Sequence, residues 1–413
     1  MKISDSGHLG EEIVAGLQAK LLPRIAQWSL RTRSALPESP LPQSGYRDLY
    51  FDDSERGYHW EHPRSNSAER ISAYLALYRA LGDDACREAA VGYADAMLDP
   101  VYGIYRGPEA DCVGQVWYWR DMGSYMTNYT MRVPPAMFEL FDETGDRRYF
   151  DAALLSGEAL LRCQRENGML KEYGLPANYR ELNLSGFDYA AHPDYCTDYK
   201  INSRIGYAAF AFAELSHRTG DDRYQLALER LVSGLRKFQN PDGSIPSDLA
   251  LKGYKPITPL VKNHFQGYVL NGCAATLKRM PDMKELREFT LALAANLVRQ
   301  QRRSGGCPYG NIDNVSPDEP GIWKSTTAAD TALGLKILHE VTGEPFWREQ
   351  ANRLLTGALL NVIQTPEQPD WDGAIPIWIS ADSGNTRIVP ALGGYFHFRS
   401  EERRVGKECR SRW

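Results

Sequence analysis

The sequence predicts an all-α fold, an (α/α)6 toroid built from six helical hairpins. Three observations predict it. One pattern recurs along the chain, an apolar helical stretch followed by a tight turn and an amphipathic helix. The connections alternate between a few residues and about 20 to 35 residues. Strand-like alternation is scarce outside short pieces such as 374–380. A stacked solenoid is the alternative for repeated hairpins, but it gives no reason for such uneven loops.

The elements follow in order. A first helix is expected over 9–32. The first copy of the repeat gives helices 67–81 and 84–98 around Gly82. The second gives 124–143 and 147–166 around Gly145, and the third gives 201–218 and 222–239 around Gly220. The fourth gives 262–280 and 283–302 around Pro281, and the fifth gives 325–342 and 345–363 around Gly343. A twelfth helix is expected to start near Thr386. The turn glycines suit the left-handed conformation that ends a helix. Asp146 and Asp221 follow two of them and are placed to cap the next helix. The long connections are 33–66, 99–123, 167–200, 240–261, 303–324 and 364–385. Strict alternation puts all six at one end of the ring. The even-numbered helices are richer in Gly, Ala and apolar residues, so they form the inner ring. A site is then expected among the long loops, at the N-termini of the inner helices.

Composition removes several functions. A chain of 413 residues buries a core without staples. No apolar run approaches the roughly 18 residues of a membrane span. A net charge of −5 argues against a nucleic-acid partner. Seven cysteines without a CxxC pair argue against a disulfide framework or a zinc site. Residues 1–22 lack an apolar signal region, and reduced thiols fit the cytoplasm. Residues 400–413 carry eight charges and no apolar face, so they read as a foreign tail. On that reading residues 1–399 form one toroid domain with a truncated last helix. The 23 Tyr and 9 Trp are a heavy aromatic load, much of it in loops, where rings stack on ligand faces.

The candidate chemistry lies in the long loops and the helix starts after them. Trp117 and Trp119 offer stacking surface just before Asp121. Asp198 occupies the equivalent place one hairpin later. Each reads either as a helix N-cap or as one of two carboxylates that share acid/base work on a sugar. His264 and Gln266 are polar residues at the start of an apolar helix, with a general base, a sugar contact or a satisfied core histidine as readings. Trp323 and Lys324 precede Ser325 and Thr326, which suit either a plain cap or an anion site. Trp371 adds a loop aromatic. Cys196 has only His192 nearby as a partner.

These segments resemble the unsaturated uronyl hydrolases of glycoside hydrolase families 88 and 105. Residues 120–153 resemble that group's HDxGF segment followed by a TGD turn. Residues 197–248 resemble its second segment, where Asp-Asn opens a helix and a DGS loop follows. Residues 308–338 resemble its late Ser/Thr/Ala helix start. The likeness spans about 67–345 and has departures: Arg120 replaces His, Tyr199 replaces Asn, and the Arg-Gly-Gln-Ala-Trp segment is only echoed from His264 onward. The resemblance implies an (α/α)6 barrel that needs no metal or organic cofactor. It implies that Asp198 is the acid/base that protonates a C4=C5 double bond and activates water, with Asp121 in support.

The leading expectation is therefore a hydrolase acting on an acidic, uronate-containing oligosaccharide. His264, Arg204 and Lys324 would contact hydroxyls and the carboxylate, with Gln266 and the four tryptophans completing the sugar site. A lyase using His264, Tyr125 or Tyr199 as base is the second reading. A non-catalytic sugar- or protein-binding toroid is the third.

Overall fold

A computed structural model describes residues 6–34, 48–52, 57–61, 67–99, 103–107, 110, 112–119, 124–170, 173–174, 204–246, 263–302, 305–308, 322–362, 364, 366–367, 372–373 and 378–380. The twelfth helix expected near Thr386 and the 400–413 tail lie outside the described residues.

Helices dominate, in the order expected. They are α1 (Ser6–Ser34), α2 (Ser67–Leu81), α3 (Asp84–Leu98), a single turn α4 (Thr127–Thr130), α5 (Val133–Thr144) and α6 (Arg147–Cys163). There follow α7 (Ile205–Thr219), α8 (Asp222–Phe238), α9 (Asn263–Arg279), α10 (Lys284–Arg299), α11 (Ser325–Thr342) and α12 (Pro345–Leu360). The short turns work as their residues require. Gly145 (φ 72°) and Gly220 (φ 68°) end α5 and α7 in the left-handed conformation. Asp146 and Asp221 then cap α6 and α8 by accepting from the backbone N–H of Arg148 and Arg223. Thr144 and Thr219 lock each turn, donating to Leu140 O and Leu215 O and accepting from the next Asp N–H.

The expected helix 124–143 is corrected. Ser124–Met126 is a strand, and the long helix begins only at Val133. Pro134 and Pro135 explain the break. They lack the N–H that a continuous helix needs, yet they suit a first turn.

Strands are scarce, as expected: the described residues hold seven short ones, in or beside the long connections. β1 (Asp48–Asp52) pairs with β2 (Gly57–Glu61). β4 (Ser124–Met126) pairs with both β3 (Trp117–Trp119) and β5 (Tyr173–Gly174). β6 (Ile322–Lys324) pairs with β7 (Trp378–Ser380). The last two ribbons join loops from different hairpins, so loop backbone that would otherwise lack partners finds them in its neighbours.

Two concentric layers result. The inner helices α2, α5, α7, α9 and α11 pack each against the next. Helix α9 is buried almost all round, as an inner-ring position demands. The outer helices include α6 and α8, which bury one face only. The outer layer closes on itself, with α12 against α1 and α1 against α3. At the closure Arg24 Nη1 binds Asp372 Oδ1 at 2.6 Å and Arg348 Nε binds Glu11 Oε1 at 2.7 Å. Gly373 (φ 94°) lies against the Arg24 carbonyl, where no side chain fits.

The inner helices approach closely through glycine. A Cβ on Gly272 of α9 would run into the Gly206 backbone of α7. Gly272→Ala is therefore expected to lower stability by about 1–3 kcal/mol, because two backbones must separate. Urea unfolding checks it, and an unchanged midpoint would contradict this packing.

Candidate functional site

The inner helices follow the long loops in the chain, and side chains from their N-terminal halves meet in one cluster. Arg132 and Arg204 stand at the N-cap positions of α5 and α7, neither with a side-chain cap. Cations at helix N-termini are disfavoured by the dipole, so a specific partner is needed. Glu69, in the first turn of α2, supplies it. Its Oε1 lies 2.8 Å from Arg132 Nε and 3.2 Å from Arg204 Nε, and the Glu69 side chain is only 2% exposed.

Aromatic rings complete the seats. The Arg132 guanidinium carbon lies 3.7 Å from the Tyr207 ring centroid, and that of Arg204 lies 4.4 Å from Tyr129 and 5.2 Å from Tyr268. On the far side Asp330, from α11, faces Arg132 Nη2 at 4.0 Å. Asp330 Oδ1 accepts from the Tyr207 hydroxyl at 3.0 Å and from Asn271 Nδ2 at 3.2 Å. Asn271 also donates to the Tyr207 hydroxyl at 2.7 Å. His264 lies beside them, with Nε2 2.9 Å from the Tyr268 hydroxyl and Nδ1 3.4 Å from Thr327 Oγ1.

Arg132 thus meets side chains from α2, α7, α9 and α11, which places it on the axis. Arg132 and Tyr207 are half-buried, whereas Glu69, Arg204, Tyr268 and His264 are buried.

Burial sets the electrostatics. It lifts the Tyr207 and Tyr268 hydroxyls well above the usual tyrosine range, against the pull of Arg132 and Arg204 respectively. Both stay protonated donors at neutral pH. For Arg204, burial opposes the charge, but the Glu69 carboxylate outweighs it and keeps the guanidinium ionised. Burial also raises the Asp330 carboxyl above the ordinary carboxylate range, while Arg132, Asn271 and Tyr207 pull it down. The folded pKa therefore exceeds the unfolded value of about 3.9. Its stabilising contribution is full below the unfolded value and is lost as pH rises through the folded one. Wild type is thus expected to lose stability relative to Asp330→Asn as pH rises from about 4. Parallel urea titrations across pH check this, and a constant difference would contradict it.

The structure treats the sequence-predicted site residues unequally. Arg204 and His264 belong to the axial cluster. Gln266 does not share it. Its amide binds Asn263 Oδ1 at 2.9 Å, Asn296 Nδ2 at 3.2 Å and the Ile245 N–H at 3.3 Å, which braces α9 to α10 and to the 240–246 turn. Residues two apart on a helix face different directions, so Gln266 and His264 point to different neighbours. Trp117 and Trp119 lie in β3 and Tyr125 in β4, at the loop end. Trp323 and Lys324 lie in β6 and not in the first turn of α11, with Trp323 opposite Ile379 and Lys324 opposite Trp378. Asp121, Asp198, Trp371, Tyr199, His192 and Cys196 lie outside the described residues. Glu69, Arg132, Tyr207, Asn271 and Asp330 were not anticipated. Asp330 carried a usable signal, as a lone charge within the apolar run 328–335.

Among the described residues, no group of three or more His, Cys, Asp or Glu is placed to hold a metal, and no helix is long and apolar enough to cross a membrane.

No family model matches the chain, and no curated protein matches it. Solved structures do. The unsaturated glucuronyl hydrolase of Bacillus sp. GL1, responsible for glycosaminoglycan degradation, superposes with a TM-score of 0.66 at 14% identity, over 91% of this chain and 93% of that one. The chain is an (α/α)6 barrel. Cellobiose 2-epimerase from Bacillus thermoamylovorans B4167 shares the barrel, with a TM-score of 0.65 at 12% identity over 91% and 95% of the chains. So does an unsaturated glucuronyl hydrolase specific for heparin, at 0.64 and 11% over 91% and 94%. One barrel therefore carries both hydrolases and epimerases, so the reaction has to be argued from the site.

Proposed function

We propose that this barrel is a carbohydrate-active hydrolase that removes an unsaturated uronyl residue from an acidic oligosaccharide. The observation that carries the reading is Arg132, a half-buried cation on the ring axis at the loop end, seated on Tyr207. An arginine there favours a substrate with a carboxylate and gives a neutral disaccharide no comparable partner. The glucuronyl hydrolases of similar fold support the same substrate class.

The chemistry is assigned to Asp198 and Asp121, which precede α7 and α5 in the sequence. Asp198 gives a proton to the C4=C5 bond and takes one from the attacking water, and Asp121 tunes it as a neighbouring carboxylate. Arg204 and His264 act from beneath, holding Tyr129 and Tyr268 in place. Trp117, Trp119, Trp323 and Trp371 are assigned as stacking surface, and Lys324 as a contact to the sugar hydroxyls and carboxylate. Residues 1–399 act as one catalytic unit.

A lyase using His264, Tyr125 or Tyr199 as base is the second reading, and its β-elimination adds no water to the products. Mass spectrometry of products from lyase-digested acidic polysaccharides tests the proposal. Hydrolysis predicts a shortened oligosaccharide and a freed uronyl fragment carrying the mass of one water. Tight binding without either product would leave only a sugar-binding barrel.

A further inference from the structure

The two layers do not match. Among the described residues the outer layer holds six helices, α1, α3, α6, α8, α10 and α12, and the inner layer five. Helices α11 and α2 end the inner row and are not packed on one another. Gly334 and Thr331 of α11 face α9, where Leu270 and Gly267 lie against them. At about 100° per residue, Ala329, Leu333 and Ile337 fall on the opposite side of α11. Leu333 is 48% exposed there, and Ala329 and Ile337 are half-buried. On α2, Ala73, Ala76 and Ala80 continue the face of Glu69, and they too are exposed or half-buried. Apolar side chains thus line an open seat between α11 and α2.

The chain itself points to the occupant. Strand β7 holds Ser380 against Ile322, three residues before α11 begins. Each inner helix runs from a long connection to a short turn, so an inner helix after β7 lies parallel to α11. Residues 388–396 carry no charged side chain, and a helix without a polar face belongs in the interior. Thr386 suits an N-cap, and Pro390 then falls in the first turn, whose N–H groups have no intrahelical partner. In parallel register 388–396 lies level with Ala329, Leu333 and Ile337. Arg399 lies level with Glu340, an exposed carboxylate that Lys278 binds from α9. Gly393 and Gly394 let a backbone come close to the alanine face of α2.

We propose that residues 386–399 form a sixth inner helix that seats between α11 and α2 and closes the ring within one chain. The inference is independent of the reaction assigned above.

Hydrogen exchange of the full chain, read peptide by peptide in a mass spectrometer, tests the proposal. The amides of 391–398 are expected to exchange at least about 100-fold more slowly than unstructured chain. In Leu333→Glu that protection should fall at least about tenfold, while α7 and α9 keep theirs. Leu226→Glu is the control, at a leucine of the outer helix α8 that is 56% exposed, and should leave 391–398 unchanged. Unstructured exchange rates across 391–398 in the wild type would overturn the proposal, and they decide even if the variant fails to fold. Protection of 391–398 that survives in Leu333→Glu would put the segment elsewhere and overturn it as well. Protection of α2 and α11 that vanishes on dilution, with 391–398 unprotected, would make a second copy of the chain the occupant and overturn it.

Discussion

Asp198→Asn is expected to lower turnover of unsaturated uronyl oligosaccharides by about 100- to 10,000-fold in kcat and to leave the fold intact. The amide keeps the size of the carboxylate but can neither give the proton to C4 nor take one from water. Asp121→Asn is expected to cost less, because it acts through Asp198. Steady-state kinetics beside a thermal melt separates chemistry from folding. Retention of more than a few per cent of activity in Asp198→Asn would remove that residue from its role.

The largest expected effect on stability is at Glu69. Glu69→Gln leaves the buried Arg204 and the half-buried Arg132 with a neutral amide between them. Breaking a buried pair in this way costs about 3–5 kcal/mol. The carboxylate serves both arginines, so the effect should be non-additive. In the double variant with Arg204→Met, part of the loss should be recovered, because one buried cation has gone. Denaturant unfolding of the two single variants and the double variant measures this coupling. A loss below about 1 kcal/mol in Glu69→Gln would mean that solvent reaches the cluster and screens it.

The architecture was legible because its signals are local. Helices 67–81, 84–98 and 325–342 match their expected bounds. Asp146 and Asp221 cap as their positions imply, and Gly82, Gly145, Gly220 and Gly343 take the positive φ that their turns require. The errors fall where the deciding contact is distant. β4 pairs with β5 about fifty residues on, and β6 with β7 across an entire hairpin. No short-range pattern announces such pairing.

The candidate site was legible only in part. Arg204 and His264 were found because they sit at polar helix starts. Arg132 and Asp330 were passed over because a charged side chain is ordinarily read as solvent-facing. Their burial follows from Glu69, Tyr207 and Asn271, contributed by three other helices. Glu69 lies 63 positions before Arg132 and 135 before Arg204, so their pairing emerges only once the ring closes.

The most direct measurement is the ultraviolet absorbance of the uronate C4=C5 double bond, followed with intact acidic polysaccharides and with their lyase-digested fragments. Loss of absorbance on the fragments, absent in Asp198→Asn, is the predicted result. A gain on the intact polymers would contradict it, identify a β-elimination and move the base to a histidine or tyrosine.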